Sequence, residues 1–189
     1  KVYGYDYQVY VILGDGDMQE GMTWEACLTI PNKGLSNLCG IIDCNRLQVD
    51  GRTDDINRLD PLAKKLEAFN WKVKEIDGHD FYALIDALQE FRKTRNEKTQ
   101  PLMIIANTIK GKGASEIEDV CKYHAVPLND EEYGRAETEC LALIGNLEKR
   151  VATQVQGEVK VKPLVKRSVR EKEQDLGDII RRNPCRQYR

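Results

Sequence analysis

Histidine is scarce in this chain of 189 residues, with only His79 and His124, so each imidazole can be weighed singly. No apolar run is long enough to cross a bilayer as a helix, and no secretory signal is visible. Six cysteines occur without close C-x-x-C pairs; this excludes a zinc-finger pattern and suggests free thiols in a reducing compartment, with Cys27 and Cys39 in apolar settings that favour burial. The expected location is the cytoplasm. A net charge of −2 gives no global attraction for nucleic acid, and no internal repeat is present. What remains, 41% hydrophobic and 32% charged residues, has the balance of a soluble globular domain.

The most informative segment lies near the start. Tyr7 to Leu13 is a β-branched and aromatic run that stops at Gly14, as a buried parallel strand does where it leaves a sheet, and Asp15 stands at its carboxyl end. Gln19 to Ile30 reads as a helix with Met22, Ala26 and Ile30 in one row, broken by Pro31, Asn32 and Gly34. Leu38 to Ile42 is a second apolar run ending at Asp43, Cys44 and Asn45. Strand, helix and strand in so short a stretch have the size of a right-handed βαβ unit, which puts Asp15 and Asn45 side by side beyond the carboxyl ends of adjacent strands. One Asp and one Asn suit Mg²⁺, which uses few carboxylates and fills its shell with phosphate, water and carbonyl oxygen. Gly14 and Gly16 allow a sharp turn and a close approach to phosphate, so a diphosphate bridged by Mg²⁺ is the expected ligand.

The Gly14-Asp15-Gly16 string, followed at this distance by Asn45, resembles the thiamine diphosphate motif of thiamine-dependent enzymes. The longer strings GDGDMQEGMTWEA and IIDCNRLQVDG resemble the transketolase branch, including its split bacterial and archaeal forms. The resemblance covers most of Tyr7 to Arg150. It implies that Asp15, Asn45 and the backbone carbonyl of Leu47 are Mg²⁺ ligands, with Ca²⁺ or Mn²⁺ able to substitute, and that Gly16 lies against the diphosphate of thiamine diphosphate. Glu20 and Glu25 match acidic positions of a carboxylate network between the two active sites of a dimer; both also read as first-turn acids favoured by a helix dipole. Trp24 reads as core or interface packing.

The remaining elements agree with an α/β fold, a parallel sheet covered by helices on both faces, here a partial thiamine diphosphate-binding domain. Pro61 to Phe69 reads as a short helix with Asp60 at the N-cap and Pro61 at the first position. Trp71 to Ile76 reads as a strand, and Asp77 to Asp80 as a turn into an amphipathic helix from Phe81 to about Arg95, with Leu84, Ile85, Leu88 and Phe91 on one face. Pro101 to Ala106 is another buried strand. The loop Thr108 to Ala114 interleaves Gly111 and Gly113 with Lys110 and Lys112; it suits a backbone wrapped near anionic groups, with Lys112 expected at the cofactor, and equally reads as a solvated basic turn. By resemblance, Ser115 to Val120 is a mobile active-site loop and His124, in Tyr123-His124-Ala125-Val126-Pro127-Leu128, its anchored end, near the diphosphate and the sugar. Ala125 departs from the His-Gly usual in the family. His79 reads as a hydrogen-bonded structural residue. From Asn129, an N-cap with Glu132 in capping-box position, a long helix follows.

Residues 1–150 are thus expected to form the cofactor-binding domain without its earlier part, and 151–189 a basic linker toward a pyrimidine-binding domain that lies elsewhere. The expected activity is transfer of a two-carbon ketol unit from a ketose phosphate to an aldose phosphate, with His124, Glu20 and Glu25 contributing at the active site. The expected partners are sugar phosphates, the remaining part of the enzyme and a second protomer, with neither nucleic acid nor membrane. The chain would be inactive alone, either a fragment or one subunit of a divided enzyme, and the basic segment favours the fragment. Deoxyxylulose phosphate synthase, a dehydrogenase first component and a non-catalytic scaffold of the same fold are the alternatives.

Overall fold

The computed structural model describes residues 7–93 and 100–154. In chain order its strands are β1 (Val9–Gly14), β2 (Leu38–Cys44), β3 (Leu47–Gln48), β4 (Gly51–Arg52), β5 (Lys72–Asp77) and β6 (Leu102–Asn107). The helices are α1 (Gly21–Asn32), α2 (Thr53–Ile56), α3 (Leu62–Ala68), α4 (Phe81–Lys93) and α5 (Asp130–Gln154), with 3-10 turns at Gly16–Gln19 and Cys121–His124. Four strands form one sheet in the order β1-β2-β6-β5, every neighbouring pair parallel, while β3 and β4 make a small antiparallel hairpin.

Side-chain alternation along the two central strands divides the core between the sheet's faces. Ile42 and Cys44 of β2 and Met103 and Ile105 of β6 pack with Cys27 of α1 and Leu62 and Leu66 of α3. Cys39, Leu102, Ile104 and Ala106 point the other way, onto Ala87 and Phe91 of α4. Each fully buried Leu or Ile contributes about 1.5–3 kcal/mol relative to exposure. Trp71 locks the first face by donating from Nε1 to the Cys27 carbonyl at 2.8 Å. The expected parallel sheet with helices on both faces is therefore the observed one.

Several local expectations are corrected. The first strand is not buried: it forms an edge of the described sheet, and Tyr10, Val11 and Ile12 are exposed. Helix α1 starts at Gly21 because the chain first makes the 3-10 turn, and it runs past Pro31 to Asn32. Its buried position is Cys27; of the row Met22, Ala26 and Ile30 only Ile30 packs against the core, while Met22 is 79% exposed. Pro61, not Asp60, is the N-cap of α3. On α4 the inward residues are Ala87 and Phe91 with Leu84 and Leu88, and Ile85 turns outward.

Side chains cap the starts of α4 and α5; the first of these reads from sequence only as a turn. Asp80 Oδ1 accepts from the Tyr82 and Ala83 amides at 2.9 and 3.2 Å, opening α4. At α5, Asn129 Oδ1 accepts from the Glu132 amide and Glu132 Oε2 accepts from the Asn129 amide, both at 2.9 Å, the reciprocal pair of a capping box. By its contacts the chain divides into Lys1–Asn146 and Leu147–Arg189. The described part of the second unit is the end of α5 through Gln154; the rest of the expected basic linker lies outside the described residues.

Candidate functional site

The carboxyl ends of the strands bring the motif residues together. Register pairs Gly14 with Asp43, so the residues that follow, Asp15 and then Asn45, leave neighbouring strands at one edge. Asp15 is 2% exposed, and its Oδ2 accepts from the Arg46 amide at 2.6 Å. Arg46 makes that contact from a left-handed conformation, φ 60°, while its guanidinium pairs outward with Asp54 and Asp60 at 3.4 and 3.1 Å. Burial raises the Asp15 carboxyl above its ordinary value near 3.8, the Arg46 and Gly16 amides oppose that rise, and the neighbouring Asp43 adds to it.

Asn45 directly precedes Arg46, its Oδ1 accepting from the Leu47 amide at 3.0 Å, and Leu47 is buried at the start of the hairpin. The Gly14 amide donates to Asp17 Oδ2 at 2.8 Å, which tightens the turn around Asp15. Across the edge, Asp15 N–H donates to the Asp43 carbonyl at 3.1 Å, and Thr108 Oγ1 donates to Asp43 Oδ1. Two clefts open here, of about 600 and 810 Å³, sharing Asn45, Thr108 and Ile109. Lys112 lines the larger one, its ammonium paired with Glu118 at 3.2 Å.

Oxygen donors from Asp15, Asn45 and Leu47 fit a hard divalent cation whose remaining positions are taken by an anionic ligand. Among the described residues, no group of three or more His, Cys, Asp or Glu side chains is placed to hold a metal, so such a cation would depend on this mixed set. Gly16 fits the same picture. A Cβ there would meet nothing closer than Gln48 at 3.8 Å, an ordinary contact, so packing within the chain does not demand glycine, and the Gln48 Oε1 at that distance is buried without a hydrogen-bond partner.

Other expected site residues are not gathered in. Glu20 is the N-cap of α1 and Glu25 lies within that helix, both exposed. His124 ends an exposed 3-10 turn and lines neither cleft. That turn is nonetheless tied to the hairpin, because the Cys121 thiol donates to the Gln48 carbonyl at 2.9 Å. Trp24 packs against Phe69 and donates to the Met18 carbonyl at 2.7 Å, the packing role expected of it. The segment expected as a mobile loop is strapped: Ser115 donates to Glu139 through its amide and hydroxyl, and Glu116 takes two hydrogen bonds from Arg135. Sequence reading missed the hairpin's Gln48 and the Asp43–Thr108 contact. Only the polar residues closing each strand hinted at the second.

Residues 3–171 match the family model of the transketolase thiamine diphosphate binding domain, and the chain belongs to that family. It is 39% identical over 131 residues to the 6-deoxy-6-sulfo-D-fructose transketolase subunit SqwG of Clostridium sp. (strain MSTE9), covering 69% of this chain and 46% of that one. It is 42% identical over 132 residues to an apulose-4-phosphate transketolase subunit of Actinobacillus succinogenes, with the same coverage of 69% and 46%. The fold is similar to that of Campylobacter jejuni transketolase, with a TM-score of 0.65 and 32% identity over 71% of this chain and 21% of that structure. The matched region thus spans about half the length of these two bacterial relatives. Among the described residues no helix is long and apolar enough to cross a membrane.

Proposed function

We propose that this chain holds the diphosphate of thiamine diphosphate, through Mg²⁺, in an enzyme that transfers a two-carbon ketol unit from a ketose phosphate to an aldose phosphate. The observation that carries the reading is the buried Asp15 carboxylate, oriented by the amide of Arg46, the residue that follows the cleft-lining Asn45. Asp15, Asn45 and the Leu47 carbonyl would ligate the cation. Gly14 and Gly16 would let the backbone approach the diphosphate, and Lys112 would add positive charge from the far wall. When bound, the cofactor supplies the thiazolium carbon at which the carbanion chemistry occurs.

We assign to His124 a hydrogen bond or proton transfer at the donor sugar, which requires the Cys121–His124 turn to move toward the cleft when substrate enters. Glu20 and Glu25, exposed on α1, are assigned to a contact with a second protomer. The rest of the enzyme would bring the pyrimidine-binding domain. The names of the two bacterial relatives, each a transketolase subunit, support a partner chain, and their sulfo-sugar and sugar-phosphate substrates support an anionic ketose as donor. A ketol-transfer assay of the complete enzyme with several ketose phosphates tests the reading. Product formation dependent on both thiamine diphosphate and Mg²⁺ is expected; condensation of pyruvate with an aldose phosphate would assign the chain to deoxyxylulose phosphate synthase instead.

A further inference from the structure

His79 stands at the end of β5, the edge strand farthest from Asp15. Its Nε2 accepts a hydrogen bond from the Ile109 amide at 2.8 Å. A ring nitrogen that accepts an N–H carries no proton, so in this hydrogen bond the ring proton sits on Nδ1. The backbone before it is fixed twice over: the His79 amide donates to Asp77 Oδ1 at 2.9 Å, and the Gly78 amide donates to the Asn107 carbonyl at 2.7 Å. Gly78 admits no side chain there, since a Cβ would fall on Thr108 Cγ2 and lie 3.1 Å from the Asn107 carbonyl.

Ile109 is the residue after Thr108, whose amide donates to the Cys44 carbonyl at 3.2 Å and whose hydroxyl donates to Asp43. Asp43 in turn accepts the Asp15 amide. Hydrogen bonds link Asp15 to Asp43 and Asp43 to Thr108, the backbone carries the line on to Ile109, and a further hydrogen bond ties Ile109 to His79. Beyond Ile109 the chain enters the Lys110–Gly113 loop, which lines the larger cleft together with His79 and Asn45.

We infer that His79 is a positioning residue: its Nε2, by accepting the Ile109 amide, fixes where the Lys110–Gly113 loop leaves the sheet and so where that loop meets a ligand in the cleft. The loop's placement stands on the geometry alone; its consequence for cofactor affinity rests on the thiamine diphosphate reading. Without the acceptor, the Ile109 amide loses its partner and the loop loses one of its anchors at the sheet, while the Thr108 hydrogen bonds to Cys44 and Asp43 and the Asp15 end of the edge are untouched.

The test uses the complete enzyme containing this chain. In the cofactor-free wild type, ¹⁵N spectra of His79 should show the proton on Nδ1 and a bare Nε2. In His79→Ala, exchange of the Ile109 amide should quicken about fivefold, the loss of one ordinary hydrogen bond. In His79→Gln, whose Oε1 replaces Nε2 as acceptor, exchange should return to within about twofold of wild type. The thiamine diphosphate concentration giving half-maximal activity should rise about fivefold in the Ala variant and recover in the Gln variant, with kcat at saturating cofactor changing less. A protonated Nε2, unchanged Ile109 exchange in the Ala variant, or a Gln variant as fast as Ala overturns the inference. If His79→Ala does not fold, the wild-type spectrum and the Gln variant still decide it. Asp15→Ala separates the two claims: retained cofactor binding in that variant would remove the cofactor reading and leave the Ile109 result standing.

Discussion

The Arg46 amide reaches across 31 residues to place a 2.6 Å hydrogen bond on Asp15 Oδ2. It does so from a left-handed backbone that few non-glycine residues adopt, held by the outward ion pairs of its own side chain. A buried carboxylate is thereby kept in one orientation. Burying that carboxylate is a burden on the fold.

That burden has a measurable sign. Because the folded chain binds the Asp15 proton more tightly than the unfolded chain does, stability falls as pH rises from about the ordinary value of 3.8 through the raised one, and stays lower above it. Asp15→Asn keeps an oxygen acceptor for Arg46 and removes the charge. At pH 7 in the absence of cofactor and Mg²⁺, it should stabilise the fold by on the order of 1 kcal/mol, roughly 2–4 °C in melting temperature. Calorimetric scans of the two proteins check this; a lower melting temperature for the Asn variant contradicts it.

Two glycines separate a ligand's needs from the fold's. Gly16→Ala should melt within about 0.5 kcal/mol of wild type, since its Cβ finds ordinary contact distances, yet should weaken cofactor binding at least tenfold if phosphate lies there. Gly78→Ala should destabilise by about 1–3 kcal/mol through its collision with Thr108 and Asn107. Denaturant melts alongside calorimetric titration with cofactor distinguish them; equal stability losses for both would defeat the contrast.

Burial pushes the Cys27, Cys39 and Cys44 thiols from an ordinary 9.0 up to about 11, about 12 and about 11. Neutral thiols in the fold mean that stability is unaffected below about pH 9 and declines as pH rises from there through the raised values, where the unfolded chain has already released protons. At pH 8 a thiol reagent should label the exposed Cys140 quickly and the three buried cysteines only on unfolding. Mass mapping after a short pulse reads this out, and early modification of Cys39 would contradict it.

Sequence pattern made the architecture legible where one physical signal dominated. Continuous apolar runs marked β2 and β6, the Asp77–Asp80 turn marked the start of α4 and the Asn129–Glu132 capping box that of α5, because burial on two faces, turn chemistry and local capping all leave their imprint within a few residues. The start of α1 was misplaced because Asp17 to Glu20 satisfy a 3-10 turn as well as a helical one. Tyr10, Val11 and Ile12 carry the apolar composition of a central strand but lie on an edge of the described sheet, and composition cannot tell the two apart. The hairpin Leu47–Arg52 is too short for any periodicity. The placement of Asp15 and Asn45 beyond the ends of neighbouring parallel strands was legible because βαβ spacing fixes it. The Arg46 amide that orients Asp15, and the Thr108 hydroxyl bound to Asp43 at a separation of 65 residues, belong to tertiary contacts that no local pattern encodes.

The most direct test is the binding of thiamine diphosphate with Mg²⁺ to the complete enzyme, measured by isothermal titration calorimetry for wild type and Asp15→Ala. Loss of a hard-cation ligand should reduce affinity by at least about a hundredfold and remove its dependence on Mg²⁺, while the variant keeps a cooperative melt. A folded Asp15→Ala protein that binds the cofactor with wild-type affinity and the same Mg²⁺ requirement would contradict the assignment of this edge as the diphosphate site.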